Sequence, residues 1–396
     1  MIRAVTDLAA FGASPALPSP IHVAQLNFPP LDRVEAKFRD IFRRQFYTNN
    51  GPLLREFEQR LAHSLGARHV VCVTNGTVAL MMMAAALGRA REVIVPAFTF
   101  PATWQALLWA GLTPVLCDVD PDSQMLTADM VRPLVSERTL GILGVHLWGR
   151  ACAPEELTAL SRQHGLSLVY DACHAIGCTD NGRPIAQFGL ASAFSLYATN
   201  IVSSAEGGCI ATDDSALAAV FRDMRVFSSQ GGSPALRTNG KMSEAQAALG
   251  LLSLEDLTDN IAANYERYRT YKEELEGIPG VRLLELREGN NYQYIAVDVD
   301  EQTVGLSRDA MMELLQAENV ICRRHFFPGA HRLPPLRMGI ERSGRTFPHT
   351  DRLCAGSLQL PTGENVSPDA VKKTCALIRG IVKLAPEIRR RRSKPA

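Results

Sequence analysis

The sequence predicts an α/β fold, with a large domain built on a mostly parallel sheet flanked by helices, and a smaller α+β domain after it. Between about residues 69 and 212, short apolar segments alternate with helical ones, a pattern typical of a parallel sheet covered on both faces. From about Ser243 the pattern becomes strongly helical and then mixed. The 396 residues are also too many for one simple core. We therefore expect an N-terminal arm at 1–30, the large domain at 31–255, the small domain at 256–385 and a basic tail at 386–396.

The large domain opens with two helices, at about 31–46 and 53–65, which the turn-forming stretch TNNGP separates. Short apolar runs, several of them rich in β-branched residues, then predict seven strands. These strands are His69–Thr74, Glu92–Val95, Thr113–Cys117, Leu140–His146, Leu166–Tyr170, Ala193–Leu196 and Cys209–Thr212. Helices are predicted after Asn75-Gly76-Thr77 and at Pro101–Trp109 and Pro154–His164.

The small domain begins within a helical stretch that runs from Ser243 to about Leu275. The helix breakers Gly277, Pro279 and Gly280 follow it. Beyond them the sequence predicts strands at Val281–Leu284, Tyr292–Val299 and about 319–323, and helices at about 307–317 and 368–384.

The composition argues against binding to nucleic acid or membrane. The net charge is +1 and charged residues make up 21% of the chain, so no overall field attracts a polyanion. The basic run Arg389–Arg392 is typical of a solvated chain end. The nine cysteines lie in apolar runs without C-x-x-C spacing, which indicates reduced thiols in a cytoplasmic protein. We expect no signal peptide and no segment that spans a bilayer.

The turn Asn75-Gly76-Thr77 is a candidate phosphate site. Gly76 permits a tight turn from strand to helix, and the helix N-terminus then offers free N–H groups beside the Thr77 hydroxyl. The same three residues are also compatible with a plain strand-to-helix turn.

Asp171 closes a predicted strand, at the edge where ligands bind in open α/β sheets. A carboxylate there can keep a pyridinium nitrogen protonated, which makes the ring an electron sink. His174, three residues later, can bond a ring hydroxyl. The alternative is an Asp that caps the next helix.

A third candidate segment runs from Ala193 to Asn200 and is followed by Glu206-Gly207-Gly208. Ser195 can add a second hydroxyl to a phosphate site. The alternative is an ordinary connection between two strands.

Taken in order, these motifs resemble the DegT/StrS-type sugar aminotransferases, which use pyridoxal phosphate (PLP) and have the aspartate-aminotransferase type of fold. The resemblance extends from about Thr48 to Ile381. The stretches that carry it are TNNGPLLREFE, VTNGTVAL, EVIVPAFTFPAT, PVLCDVDPDS, DACHAIG, AFSLYATN with EGG, NGKMSEAQAALG, RRHFFPGAHR and LQLPTG. TNNGP and the RRHFFPGAH stretch look most like the branch that acts on nucleotide-linked 4-keto-6-deoxyhexoses.

The resemblance implies a role for each matching residue. Gly76, Thr77 and Ser195 would hold the cofactor phosphate, and Phe100 would stack on the ring with Cys173 near its other face. Asp171 would pair with the ring nitrogen and His174 with the ring hydroxyl. Asn239 and Lys241 would reach the phosphate of a second subunit, which implies a homodimer with shared active sites. His325, Phe327 and His331 are candidate substrate contacts, and no metal ligand is expected.

The sequence departs from the family where the Schiff-base lysine belongs. The family pattern is an aromatic residue or His, then Ala, Thr and Lys, with Glu-Gly-Gly six residues later. This chain reads Tyr197-Ala198-Thr199-Asn200 and then Glu206-Gly207-Gly208. Asn neither acts as a nucleophile nor ionises near neutral pH, so ordinary transamination is in doubt.

Four interpretations follow from Asn200. The protein binds PLP or pyridoxamine phosphate (PMP) without a covalent bond and acts on a nucleotide-linked sugar or a related small metabolite, with Tyr197 or His174 as the base. It carries no PLP or PMP and reuses the fold for other chemistry. It is a non-catalytic partner of an active homologue. Or Asn200 is a lysine-trap substitution in an ordinary sugar aminotransferase.

Overall fold

A seven-stranded sheet forms the centre of the computed structural model, which describes residues 2–25, 28–226 and 237–392. The fourteen strands of the described residues are β1 Ile21–His22, β2 His69–Val73, β3 Glu92–Pro96, β4 Thr113–Cys117, β5 Thr139–Val145, β6 Ser167–Asp171, β7 Thr179–Asp180, β8 Arg183–Pro184, β9 Ala191–Ser195, β10 Gly208–Thr212, β11 Val281–Leu283, β12 Ile295–Val299, β13 Val320–Ile321 and β14 Ser357–Leu360. The central sheet has the order β2-β10-β9-β6-β5-β3-β4. Only β10 runs antiparallel to its two neighbours there, so the predicted mostly parallel sheet is confirmed.

Helices connect and cover the strands. The α-helices of the described residues are α1 Leu31–Arg44, α2 Pro52–Leu65, α3 Gly76–Leu87, α4 Pro101–Trp109, α5 Ala128–Val131, α6 Pro154–His164, α7 Ser215–Met224, α8 Glu244–Glu255, α9 Leu257–Leu275, α10 Glu301–Val304, α11 Arg308–Ala317, α12 Leu336–Ser343, α13 Pro348–Gly356 and α14 Pro368–Arg392. The ranges predicted for α4 and α6 agree residue for residue with the structure, because a proline opens each helix at its first position. The single helical stretch predicted from Ser243 is two helices, which meet at Asp256.

The second sheet has the order β11-β12-β14 and is antiparallel. The N-terminal segment packs onto the same core, since Val5 and Leu8 are fully buried in it and β1 pairs with β13. The helix predicted at 368–384 continues to Arg392 as α14. Ala385 and Ile388 extend its buried face, which keeps the chain helical where the tail was expected. Residues 393–396 lie outside the described residues.

The direction of the strands determines where the site forms. Strands β2, β3, β5, β6 and β9 all end at the same edge of the central sheet, because β2 and β9 both run antiparallel to β10 and the others are parallel to β9. The residues after these strands therefore meet at one edge, as is usual in open α/β sheets. In the described part of the chain, no helix is both long and apolar enough to cross a membrane.

Candidate active site

A cavity of about 460 Å³ lies at this edge, between the carboxyl ends of the strands and the segment around residues 323–326. It brings together most of the residues that the sequence analysis singled out. The cavity is lined by Gly76, Thr77, Phe100, Asp171, Cys173, His174, Ser195, Tyr197, Asn200 and His325, among others.

The first turn of α3 forms one end of the cavity. Asn75 caps this helix, because its side-chain oxygen accepts a hydrogen bond of 2.9 Å from the backbone N–H of Val78. Gly76 is the first helical residue, and a Cβ added to it would lie 2.9 Å from Cβ of Ser195 and 3.2 Å from Sγ of Cys173. Only glycine leaves the backbone N–H groups of this turn accessible at that spacing. The free N–H groups and the helix dipole favour an anion here.

Asp171 ends β6 and lies deep in the cavity, with 5% of its surface exposed. One carboxylate oxygen accepts a hydrogen bond of 2.8 Å from the Thr103 hydroxyl, and the other accepts one of 3.1 Å from the backbone N–H of Cys173. Burial raises the pKa of the Asp171 carboxyl, although these hydrogen bonds act in the opposite direction. No basic side chain of the described residues forms an ion pair with Asp171. A cationic ring nitrogen would supply the missing partner.

Three rings that line the cavity, those of His174, His325 and Phe326, lie nearly parallel to one another and to the ring of Trp148, which packs against them. The ring of His174 stacks on that of Trp148 with centroids 5.7 Å apart. Burial lowers the pKa of His174 to about 3, and His325 adds to the effect, so His174 is neutral at physiological pH. Its Nδ1 is fully enclosed and has no hydrogen-bond partner among the described residues, so a ligand would reach it only after the ring turns.

Asn200 lies in the turn after β9 and is 6% exposed. Its side-chain amide donates a hydrogen bond of 3.0 Å to the backbone oxygen of Ser195, and its backbone N–H donates one of 2.9 Å to that of Tyr197. No lysine lines the cavity within the described ranges. Tyr197 and Phe100 are about half exposed, at 47% and 53%, so both rings are accessible to a ligand from the cavity.

Four predicted site residues do not line this cavity. Lys241 pairs with Val73 at the end of β2, and its side chain donates a hydrogen bond to Asn239. His331 is buried elsewhere, where its Nε2 lies 2.9 Å from a carboxylate oxygen of Asp351. Phe327 is half exposed and packs against the guanidinium group of Arg324 at 4.7 Å. Asn239 and Lys241 thus lie beside their own β2 rather than in their own cavity.

Sequence reasoning missed several residues of the site, among them Thr103, His146, Tyr294 and Arg323. Thr103 bonds Asp171, and the other three line the cavity. His146 ends a predicted strand at the ligand-binding edge, as Asp171 does, so its position was a usable signal. Tyr294 and Arg323 belong to the segments that cover the sheet edge, and no local sequence pattern predicts that they line the cavity.

Comparisons with known proteins support the same assignment. A family model described as the DegT/DnrJ/EryC1/StrS aminotransferase family matches residues 32–379. Two relatives are named dTDP-4-amino-4,6-dideoxy-D-glucose transaminase. The one from Shigella dysenteriae is 31% identical over 314 residues, covering 78% of this chain and 85% of the relative. The one from Escherichia coli is 30% identical over 366 residues, covering 91% and 98%.

A solved structure, described as DesI in the presence of its TDP-sugar product, is also similar to this chain. The two share 42% sequence identity and superpose with a TM-score of 0.93, over 99% of this chain and 100% of that one. The resemblance and the fold class predicted from the motifs are therefore confirmed. The chain belongs to the DegT/DnrJ/EryC1/StrS aminotransferase family.

Proposed function

We propose that this protein binds PLP or PMP non-covalently and acts on a nucleotide-linked keto-deoxysugar without a Schiff-base lysine. One observation carries the proposal: the cavity combines the anion site at Gly76 with the buried carboxylate of Asp171, yet presents Asn200 and no described lysine.

The residues of the cavity fit a phosphorylated pyridine ring. The N–H groups at Gly76 and the hydroxyls of Thr77 and Ser195 would hold the phosphate. Asp171 would keep the ring nitrogen protonated, and His174, which lines the cavity, would bond the ring hydroxyl. When bound, such a protonated ring acts as an electron sink for loss of a nearby C–H proton. The accessible ring of Phe100 would stack on the pyridine.

Asn200 limits what the site can catalyse. Its amide neither forms a covalent bond with an aldehyde nor carries a proton near neutral pH. General acid–base catalysis contributes roughly 10²–10⁴-fold, so we expect ordinary transamination to be slower by at least that factor. Tyr197 lines the same cavity and is the side chain we assign to proton transfer, because burial lowers the pKa of the other candidate, His174, to about 3 and leaves it a weak base.

A nucleotide-linked sugar is the substrate class that the relatives favour, since two of them are named as transaminases of a dTDP-linked amino sugar. We also propose that the protein is cytoplasmic and forms a homodimer. The segment from Asn239 to Lys241 does not line its own cavity and would approach the phosphate site of a second copy.

Absorbance titration of the purified protein with PLP, and separately with PMP, tests this proposal. We expect a saturable spectral change with both cofactors, and no mass increase of the intact protein after borohydride reduction with PLP present. Reduction of the free cofactor serves as the control. A reducible adduct would show that another lysine takes over the covalent role, and absence of binding would refute the cofactor assignment.

A further inference from the structure

The side-chain amide of Asn200 has a defined orientation. Its hydrogen bond of 3.0 Å goes to the backbone oxygen of Ser195, which can only accept. The NH₂ group therefore faces Ser195, and the side-chain oxygen faces away from it. This assignment follows from the hydrogen-bond network, as it must for an Asn side chain.

The turn that carries Asn200 is held from both sides. The next residue, Ile201, donates its backbone N–H to the side-chain oxygen of Gln293 over 3.0 Å. The preceding Thr199 accepts a hydrogen bond of 3.2 Å from the backbone N–H of Gln25. Both glutamines are buried, at 3% and 1% exposure. The backbone of the turn is thus held in place, and the side-chain amide can reorient only by breaking its hydrogen bond with Ser195.

The side-chain oxygen of Asn200 is available to a ligand. It accepts no hydrogen bond from the described residues, and it is not among their fully enclosed polar atoms that lack a partner. Asn200 also lines the cavity that contains Asp171 and Gly76. The turn therefore presents a fixed hydrogen-bond acceptor to the cavity, and an acceptor distinguishes between ligand groups by their ability to donate.

We infer that Asn200 is a specificity residue that recognises an amino group on the bound ligand, so that the site prefers the amine PMP to the aldehyde PLP. The inference rests on the proposed function, because it takes the cavity to hold a cofactor of this type. An amine or ammonium group donates to the amide oxygen of Asn200. An aldehyde oxygen only accepts, and its lone pairs repel those of the amide.

Three ligands that differ at one carbon test the inference: PMP, PLP and 4′-deoxypyridoxine 5′-phosphate, which has neither amine nor aldehyde. Their dissociation constants are measured by absorbance or fluorescence titration at one pH. A hydrogen bond to a charged donor is worth about tenfold or more in affinity, so we expect PMP to bind wild type at least that much more tightly than the deoxy compound. PLP should bind no more tightly than the deoxy compound.

Asn200→Leu and Asn200→Ala remove the acceptor, and Ala adds no bulk to a tight site. In both variants we expect PMP to lose its advantage, to within about threefold of the deoxy compound. Asn200→Asp retains an acceptor oxygen and should retain the preference for PMP. Ser195→Ala is the matched control, since loss of a phosphate contact should weaken all three ligands alike and leave their ratios unchanged.

The outcomes separate this inference from the proposed function. If wild type binds none of the three ligands, the proposed function fails and the inference fails with it. If all three bind equally well, or if Asn200→Ala weakens all three by the same factor, Asn200 only fastens the turn, and this inference alone is refuted.

Discussion

The hydroxyl of Thr103 lies 2.8 Å from the Asp171 carboxylate and donates a hydrogen bond to it. Thr99 in turn lies 2.8 Å from the Thr103 hydroxyl, so a short chain of hydroxyls orients the acid. These neutral donors hold a buried carboxylate in place without neutralising its charge. The uncompensated buried charge destabilises the ligand-free protein, and a bound cationic ligand would offset that destabilisation.

This arrangement predicts that Asp171→Asn has opposite effects on the stability of the protein and on its affinity for the cofactor. Asn keeps an acceptor for the N–H of Cys173 and can donate to Thr103, whose bond with Thr99 can reverse. We expect the ligand-free variant to be more stable by about 1–2 kcal/mol at neutral pH, and PLP and PMP binding to be lost. Thermal unfolding and absorbance titration measure the two effects.

The stability gain of Asp171→Asn should depend on pH. The folded-state pKa of Asp171 is raised, so the cost of its buried charge is present above that pKa and disappears as the pH falls toward the unfolded value of about 3.9. The variant should therefore gain most at neutral pH and little near pH 4. A gain that is the same at every pH would point to a packing effect instead.

A methyl group at Gly76 should close the anion site. The Cβ of Gly76→Ala would lie 2.9 Å from Cβ of Ser195, closer than real Cβ atoms approach. We expect at least about tenfold weaker binding of PLP and PMP, because each lost hydrogen bond to a charged group is worth about 1.5–3 kcal/mol. Titration measures the loss. Gly339→Ala is the control: nothing lies within 4 Å of a Cβ there, so binding should not change.

The sequence could predict the parts of the site that depend on strand ends. Gly76 and Asp171 each follow or close an apolar strand, and the parallel order of the sheet then places them at one edge. Local pattern and tertiary placement agree at these positions. The same rule could have predicted that His146 lies at this edge, because it directly follows β5, which ends at Val145.

Other features depend on long-range packing that no local pattern reveals. Strand β14 is short and buried, and it is defined by its pairing with β12 rather than by alternation along its own sequence. Arg323 reaches the cavity because its backbone pairs with Gln359 of β14. Likewise, the hydrogen bond between the backbone N–H of Ile201, in the turn after β9, and the side chain of Gln293 joins residues 92 positions apart.

Buried His146 should make the protein sensitive to mild acid. Its Nδ1 accepts a hydrogen bond of 2.9 Å from the backbone N–H of Cys152, and burial lowers its pKa to about 3. The unfolded ring takes up a proton below about pH 6.5 while the folded ring stays neutral, so stability is lost as the pH falls from that value.

His146→Asn isolates this contribution, since its side-chain oxygen can replace Nδ1 as the acceptor. Between pH 7 and pH 5 we expect the variant to lose about 2 kcal/mol less unfolding free energy than wild type. Urea denaturation at the two pH values measures the difference. Equal losses in both proteins would mean that His146 does not stay neutral in the folded state.

Restoring the lysine should restore covalent attachment. In the Asn200→Lys variant we expect PLP to form an adduct that borohydride makes permanent, because Gly76, Asp171 and His174, the residues proposed to hold the cofactor, are unchanged. Mass spectrometry of the digested protein locates the adduct, and it must map to position 200 rather than to Lys241. The longer Lys side chain does not reproduce the short hydrogen bond from the Asn amide to the Ser195 oxygen, so the ligand-free variant should also be less stable by about 1 kcal/mol. The double variant with Asp171→Asn is the control and should bind no PLP. If the single variant forms no adduct although PLP binds, the turn after β9 does not direct residue 200 at the reactive carbon, and the role assigned to Asn200 fails with it.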